Sequence, residues 1–276
     1  MFKALLARAH QGHRTVGFPN RPPVLPDRLR GRPQIDSAKC PEGCRVCADV
    51  CPTDAITVDE KGVRLDLGRC LFCPECERAC PEGAIRFTTE HRLATSSREA
   101  LVGTTCWSSM AAQQRGPTHM EFQLARALDE RTRKLFGRSL KLRQVSAGGC
   151  NGCEADVNVL NTVVFDLGRF GIQFVASPRH ADGLLITGPV TRNMESALRE
   201  SYEAIPPPKL VIAVGACAIS GGPYLGHAEQ RNGAESVVPV DLYIPGCPPH
   251  PITILDGLLR WLGRADSACR ISQYVG

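Results

Sequence analysis

The sequence predicts a C-terminal α/β domain with a mainly parallel sheet, preceded by a small α+β unit that is rich in cysteine. After residue 140, strand-like apolar runs alternate with helix-like stretches, which is typical of a parallel sheet with helices between its strands. An internal repeat, with an offset of 29 residues within 40–87, marks the cysteine-rich unit. We expect strands at 140–145, 173–176, 183–186, 210–214 and 241–244, and helices at 154–167, 193–205 and 252–262.

The N-terminal region is predicted to be an extended basic arm. Residues 1–35 hold seven Lys or Arg side chains against one Asp. Residues 17–33 are rich in proline, which disfavours helix, so only residues 1–10 have the spacing of a short amphipathic helix. Such an arm suits an acidic partner or an anionic surface, although a solvated tail has the same composition.

The overall composition is that of an ordinary soluble protein, with 43% hydrophobic and 22% charged residues. No apolar run approaches the ~20 residues that span a bilayer, and residues 1–9 are too short for a secretory signal. We therefore expect a cytoplasmic protein. Fourteen cysteines in a reducing compartment point to metal rather than to disulfides.

Eight of the cysteines form two runs that each close with Cys-Pro. The runs read Cys40-x3-Cys44-x2-Cys47-x3-Cys51-Pro52 and Cys70-x2-Cys73-x2-Cys76-x3-Cys80-Pro81. In runs of this kind three cysteines bind one 4Fe-4S cluster and the fourth binds the neighbouring cluster. The predicted ligand sets are Cys40, Cys44, Cys47 and Cys80 for one cluster, and Cys70, Cys73, Cys76 and Cys51 for the other.

This unit resembles the bacterial two-cluster ferredoxin family over about fifty residues. The first gap of the first run departs from the family pattern, because it has three residues instead of two. A three-iron cluster, or loss of the first cluster, therefore stays open. Two zinc knuckles are a further alternative, since zinc sites also use CxxC pairs.

Four further cysteines follow the predicted strands of the α/β domain. Cys150 and Cys153 come after strand 140–145, Cys217 after strand 210–214, and Cys247 after strand 241–244. The carboxyl ends of parallel strands meet at one edge of a sheet, where such sheets bind their ligands. Four thiolates at that edge suit a third 4Fe-4S cluster. The CxxC pair taken alone would equally suit a redox dithiol.

Residues 140–262 resemble the small subunit of energy-converting, membrane-associated nickel–iron hydrogenases, which is homologous to the complex I subunit that holds the terminal cluster. The resemblance is carried by the stretches AGGCNGCEADV, FGIQFVASPRHADGLLITGPVTRNM, VGACAISGG and IPGCPPHP. It implies a flavodoxin-like fold, and it implies Cys150, Cys153, Cys217 and Cys247 as ligands of the cluster nearest the active site of a separate large subunit. Complex I proteins typically have two adjacent cysteines at the first position, whereas the spacing here is hydrogenase-like.

The predicted domains are an arm at 1–36, a ferredoxin-like domain at 37–90, a linker at 91–117 and the hydrogenase small-subunit-like domain at 118–276. Capping-box spacing at 118–121, with Gly137 as a stop, predicts a helix over 118–136. For Glu154 the resemblance implies a proton relay; the alternative is an acid favoured by a helix N-terminus. Cys106 and Cys269 have no motif partners and are predicted to be plain thiols.

The predicted function is that of an electron-transfer subunit without a catalytic centre of its own. Three 4Fe-4S clusters would connect an upstream electron donor to the nickel–iron site of a partner large subunit, for H2 evolution or uptake. The resemblance also implies membrane-embedded partner subunits and a peripheral place on the inner face of the cell membrane.

Two other functions stay open. The first is a complex I-like subunit that feeds a quinone or a nickel-free catalytic subunit. The second is a zinc-stabilised module that binds nucleic acid through the arm. The arm lacks the interleaved aromatic side chains on which bases stack, so we expect no nucleic-acid partner.

Overall fold

The structure, a computed structural model, describes residues 2–12, 14–60, 62–106, 123–125, 127–128, 130–136 and 139–265. Its C-terminal domain is built on a five-stranded sheet in which every pair of neighbouring strands is parallel. The strands are β6 (Leu140–Ser146), β7 (Ile172–Phe174), β8 (Gly183–Thr187), β9 (Leu210–Val214) and β10 (Leu242–Ile244). Their spatial order, β7-β6-β8-β9-β10, is the flavodoxin-like order, so the predicted fold class is confirmed.

The helices of this domain follow from the same apolar patterning. They are α4 (Glu130–Phe136), α5 (Gly152–Val159), α6 (Arg192–Ala204), α7 (Ala216–Ser220) and α8 (Pro251–Trp261). Every residue of β8 and β9 is buried, as expected for strands that are covered on both faces. All residues of α8 are buried as well, because α8 packs beneath the sheet and also beneath Ala94.

The helix predicted at 154–167 is shorter in the structure, because α5 ends at Val159. The Thr162 hydroxyl donates a hydrogen bond to the Val159 carbonyl at 2.7 Å, and Asp166 has a left-handed backbone with φ of 49°. A side chain that bonds the backbone locally competes with helix continuation. The chain then turns through a 3-10 segment, Leu167–Phe170, into β7.

The helix predicted at 118–136 is likewise shorter, because its described part is helical only over Glu130–Phe136. The Ala125 N–H donates to the Ala94 carbonyl at 2.7 Å, and the Leu128 N–H donates to the Trp261 carbonyl at 2.8 Å. These donors serve other segments instead of a helical turn. The predicted cap at 118–121 and the predicted stop at Gly137 lie outside the described residues.

The cysteine-rich unit contains short helices and antiparallel strands. Its elements are α2 (Val46–Asp49), β2 (Ile56–Asp59), β3 (Gly62–Asp66), α3 (Glu75–Ala79) and β4 (Ile85–Phe87). Strand β1 (Pro33–Ile35), from the arm, pairs with β4, while β2 pairs with β3. The 29-residue repeat is therefore visible as two successive units of cysteine run, helical turn and strand.

The segment 91–117, predicted to be a linker, is not irregular in its described part. It contains a 3-10 turn, Glu99–Leu101, and a strand, β5 (Val102–Cys106), which pairs antiparallel with β3. Leu101 is fully buried, and the Thr105 hydroxyl donates to the Val63 carbonyl. These contacts make the segment a third strand of the β2–β3 sheet.

The arm is packed along both domains after residue 14. The Val16 N–H donates to the Val164 carbonyl at 2.8 Å, and Phe18 is buried in the core of the α/β domain. Further along, the Arg30 side chain donates to the Phe72 carbonyl at 2.7 Å. The first helix, α1 (Phe2–Gln11), has no buried residue. Within the described ranges, no helix is both long and apolar enough to cross a membrane.

Direct contacts join the cysteine-rich unit to the α/β domain. The buried Ser220 hydroxyl, at the end of α7, donates to the Gly68 carbonyl at 2.9 Å. Thr95 and Tyr243 form an antiparallel bridge, with hydrogen bonds of 3.0 and 2.9 Å. One apolar core runs through both units and includes Leu65, Leu101 and Ile219. The two cysteine-bearing regions are therefore held by one continuous core.

Candidate metal centres

The first group consists of Cys40, Cys44, Cys47 and Cys80. Cys47 is buried in α2, and burial raises the pKa of its thiol to about 11, with a further contribution from Cys40 and Cys44. Burial also raises the pKa of Cys40, and Cys44 and Cys80 add to that rise. Cys80, from the second run, thus lies beside cysteines of the first run.

The second group consists of Cys51, Cys70, Cys73 and Cys76, around a cavity with apolar walls. Burial raises the pKa of the Cys76 thiol to about 12, and the nearby thiols of Cys73 and Cys51 contribute. The pKa of Cys70 rises for the same reason, with contributions from Cys76, Cys51 and Cys73. Cys51, from the first run, is therefore close to the three cysteines of the second run.

Backbone amides point at sulfur in both runs. The Ala55 N–H donates to Cys51 Sγ and the Ala84 N–H donates to Cys80 Sγ, both at 3.2 Å and both four residues after the cysteine. The Phe72 N–H donates to Cys70 Sγ at 3.3 Å. Hydrogen bonds to the charged form of a group favour that form, so these amides stabilise thiolates over thiols.

The third group, Cys150, Cys153, Cys217 and Cys247, lies at the carboxyl edge of the parallel sheet. Cys153 belongs to α5 after β6, Cys217 belongs to α7 after β9, and Cys247 follows β10. Burial raises the pKa of Cys217 to about 11, and Cys247 and Cys150 contribute. The pKa of Cys153 rises through burial and through Cys217, Glu154, Cys247 and Cys150. Cys150 and Cys247 are exposed at this edge.

Two glycines leave room for sulfur in the third group. A Cβ atom on Gly215, whose φ is 91°, would lie 2.5 Å from Cys153 Sγ. A Cβ atom on Gly222, whose φ is 56°, would lie 2.8 Å from Cys217 Sγ. Both positions combine a left-handed backbone with a close approach, and glycine is the residue that tolerates both.

The chemistry of these three groups fits a 4Fe-4S cluster. Buried thiols with raised pKa values stay protonated at neutral pH, and a positively charged metal group displaces those protons. A cubane binds each of its four thiolates to a different iron. Among the described residues, no three His, Cys, Asp or Glu side chains converge on one point as ligands of a single metal ion do.

Glu154 is buried behind the third group, and its Oε1 atom accepts two hydrogen bonds. The Ser146 hydroxyl, at the end of β6, donates at 2.6 Å, and the Thr187 hydroxyl, at the end of β8, donates at 2.7 Å. Burial raises the pKa of Glu154, but the two hydroxyl donors outweigh burial and leave the pKa below its ordinary value. The carboxylate is therefore charged at neutral pH and connects α5 to two strands.

Ser146 and Thr187 are candidate site residues that the sequence pattern did not single out. Both are the last residue of a strand, and β6 and β8 flank the point at which the strand order of the sheet reverses. Polar side chains at that edge are a signal that the sequence contains, because ligands bind there. Cys106 has its backbone in β5, while its side chain and all of Cys269 lie outside the described residues.

The three groups lie in a row. Cys47 of the first group is near enough to influence the pKa of Cys76 in the second group. Cys73 of the second group contributes in the same way to the raised pKa of Cys247 in the third group. The second group therefore lies between the other two.

Two protein families match the two parts of the chain that carry these cysteines. The family described as "NADH ubiquinone oxidoreductase, 20 Kd subunit" matches residues 150–261, and a "4Fe-4S dicluster domain" matches residues 39–84. Over 126 residues the chain is 42% identical to the probable membrane-bound hydrogenase subunit mbhJ of Pyrococcus furiosus, covering 46% of this chain and 75% of that relative. The chain belongs to the NADH ubiquinone oxidoreductase 20 kDa subunit family.

This member of the 20 kDa subunit family is also 46% identical, over 130 residues, to formate hydrogenlyase subunit 7 of Escherichia coli. That match covers 47% of this chain and 51% of the relative, so the chain spans about half the length of that protein. A chain of the membrane-bound sulfane sulfur reductase, an archaeal respiratory membrane complex, is 34% identical, with a TM-score of 0.43 and coverage of 49% and 75%. The predicted resemblance to a hydrogenase small subunit joined to a two-cluster ferredoxin domain is confirmed.

Proposed function

We propose that this chain is the electron-transfer subunit of a hydrogenase-like complex and holds three 4Fe-4S clusters. The observation that carries the proposal is the row of three four-cysteine groups within one continuous core. When bound, the clusters would supply carriers that accept and release one electron at a time. The first group would hold its cluster through Cys40, Cys44, Cys47 and Cys80, the second through Cys51, Cys70, Cys73 and Cys76, and the third through Cys150, Cys153, Cys217 and Cys247.

The protein contributes position and shielding. Buried side chains of the shared core keep water from the second group, and the loops after the parallel strands fix the third group. The catalytic centre belongs, in this proposal, to a partner large subunit that covers the edge with the exposed Cys150 and Cys247. Tyr224 and Leu225 are exposed just after α7 and would add apolar contact area at the same edge. Glu154, behind that edge, is the proposed proton relay.

Hydrogen evolution or uptake at a nickel–iron site is the reaction that we propose for the partner. The Cys150-x2-Cys153 spacing and the identity to two hydrogenase-complex subunits support it. The second candidate is a complex I-like subunit that feeds a quinone or a nickel-free catalytic subunit. The match to the NADH ubiquinone oxidoreductase 20 kDa subunit favours that candidate.

We further propose that the complex is peripheral to the inner face of the cell membrane and includes membrane-embedded subunits. Helix α1 supports this placement, because Phe2, Leu5 and Leu6 are more than half exposed and the helix carries Lys3 and Arg8 but no acid. A basic amphipathic helix of this kind suits an anionic membrane surface or an apolar partner beside it.

Elemental analysis of the complex that co-purifies anaerobically with this chain tests the proposal. We expect roughly twelve irons per chain, four for each group of cysteines, together with nickel in the co-purified complex. Iron at that level without nickel would favour the second candidate. Zinc in place of iron would contradict both. A Cys217→Ser variant, which changes one ligand of the third group alone, is expected to disturb one third of the iron.

A further inference from the structure

Cys70 of the second group is followed by a turn whose backbone conformation is unusual for its sequence. Phe72 has a left-handed backbone with φ of 54°, and its side chain is buried. A bulky residue adopts this conformation only at a cost in free energy, which the surrounding structure must offset. The turn matters for the second group, because the Phe72 N–H donates to Cys70 Sγ at 3.3 Å inside the core.

The 29-residue repeat shows which residue the same turn has in the first run. The position equivalent to Phe72 is Gly43, which also has a positive φ, of 75°. Glycine adopts a left-handed backbone without strain, so the first run needs no outside support at this position. The second run does need support there. A contact that holds the Phe72 turn therefore acts on the second group and not on the first.

Arg30, in the arm, makes such a contact. Its Nε atom donates to the Phe72 carbonyl at 2.7 Å. The backbone beside Arg30 is fixed, because the Gly31 N–H donates to the Thr88 carbonyl at 2.7 Å and β1 pairs with β4. A Cβ atom on Gly31 would overlap the Glu90 carbonyl, so glycine lets the arm approach this closely. The guanidinium is therefore held at the turn by the pairing of the arm.

Two anchors fix the rotation of the chain at Phe72. Arg30 holds the carbonyl that follows the Phe72 Cα atom, and the Phe72 ring packs beside the Phe87 ring, with 6.4 Å between their centroids. The N–H that precedes the same Cα atom is thereby aimed at Cys70 Sγ. Burial raises the pKa of the Cys70 thiol and the Phe72 N–H opposes that rise, so this amide stabilises negative charge on the sulfur.

We propose that Arg30 is a positioning residue that raises the reduction potential of the cluster in the second group, by holding Phe72 in the turn from which its N–H donates to Cys70. This inference rests on the proposed function, in which a 4Fe-4S cluster binds at the second group. A reduced cluster carries one more negative charge, so hydrogen bonds to its sulfur ligands favour reduction. The cluster gains one electron from its neighbour in this step, and no bond forms or breaks.

Two neutral variants of similar length test the positioning role. Arg30→Gln keeps an N–H donor, because Gln Nε2 is as many bonds from Cα as Arg Nε, whereas Arg30→Met keeps none. Both variants lose the same charge, so the comparison isolates the hydrogen bond. We expect the equilibrium constant for reduction of the second cluster to be about tenfold lower in Arg30→Met than in Arg30→Gln, the order expected for one hydrogen bond to a charged group. For one electron this is a shift of about 59 mV.

The measurement is a redox titration of the complex purified anaerobically through the full chain, followed by electron paramagnetic resonance. The signal that a Cys76→Ser variant alters is assigned to the second cluster. Arg28→Met is the matched control, since Arg28 is exposed in the same arm and makes no hydrogen bond or ion pair with any residue that the structure describes. It is expected to leave the potential of the second cluster unchanged, because salt screens exposed charges.

Three results would overturn this proposal alone. The first is an equal potential in Arg30→Gln and Arg30→Met, and the second is an equal shift in Arg28→Met and Arg30→Met. The third is the loss of about one third of the iron from Arg30→Met, because the hydrogen bond would then retain the cluster instead of setting its potential. A native complex without iron–sulfur signals would contradict the proposed function itself.

Discussion

At the scale of single residues, the cysteine sulfur atoms at the edge of the sheet require glycine beside them. Position 215 requires glycine for two reasons. Its φ is 91°, and a Cβ atom there would lie only 2.5 Å from Cys153 Sγ. The sequence shows the glycine beside Cys217 but cannot show which sulfur faces it. The cysteines could be predicted because ligand chemistry fixes their spacing. The hydrogen bonds of Ser146 and Thr187 could not, since they depend on two strands meeting at Glu154.

We expect Gly215→Ala to remove the third cluster's share of the iron, about one third of the total, because the methyl group displaces the Cys153 sulfur. The left-handed backbone adds a strain of about 1–3 kcal/mol. Gly226→Ala is the matched control, since Gly226 has a φ of 79° but open space where a Cβ atom would lie. It is expected to show the strain and to keep all its iron. Iron content and denaturant unfolding of both variants check this expectation.

At the scale of elements, the sheet was predictable and the connections were not. Buried apolar runs such as β8 and β9 are easy to recognise in the sequence, because strands covered on both faces need apolar side chains at every position. Strand β5 has no such run. Its residues form a strand because they pair with the edge of β3 that β2 leaves unpaired. Similarly, residues 125 and 128 are not helical, because their N–H groups donate to the Ala94 and Trp261 carbonyls. These partners are distant in sequence, so local residue spacing does not predict them.

The arm is the element whose structural role is most directly testable. Phe18→Ala is expected to lower the free energy of unfolding by about 3–5 kcal/mol, because it empties a buried site and removes a T-shaped ring pair with His91. Phe2→Ala, on exposed α1, is expected to change it by less than about 0.5 kcal/mol. Urea denaturation of the full chain measures both. Equal losses would mean that the arm does not pack as described.

At the scale of the whole molecule, the buried and half-buried thiols of the three groups couple cluster assembly to pH. The pKa values of Cys47 and Cys217 rise to about 11 and that of Cys76 to about 12, so these thiols are protonated at neutral pH without metal. Cluster binding must release those protons, and apparent affinity therefore rises with pH and falls as the solution is acidified.

We expect iron retention against a competing chelator to increase steadily between about pH 6 and pH 9, with no plateau in that range, because all three pKa values lie above it. Full-length protein at equilibrium with chelator, read by iron content and by the visible absorbance of the clusters, measures the dependence. A Cys47→Ser variant is expected to flatten the curve. A pH-independent affinity in the native chain would contradict the raised pKa values.

The hydrogen bond from Ser220 to Gly68 and the bridge between Thr95 and Tyr243 join regions that belong to one polypeptide. Two carriers on separate subunits must meet, and their effective concentration depends on expression and assembly. Here the second and third groups belong to one chain, and folding sets the distance between them. The two groups are therefore present in equal number, and no association step brings them together.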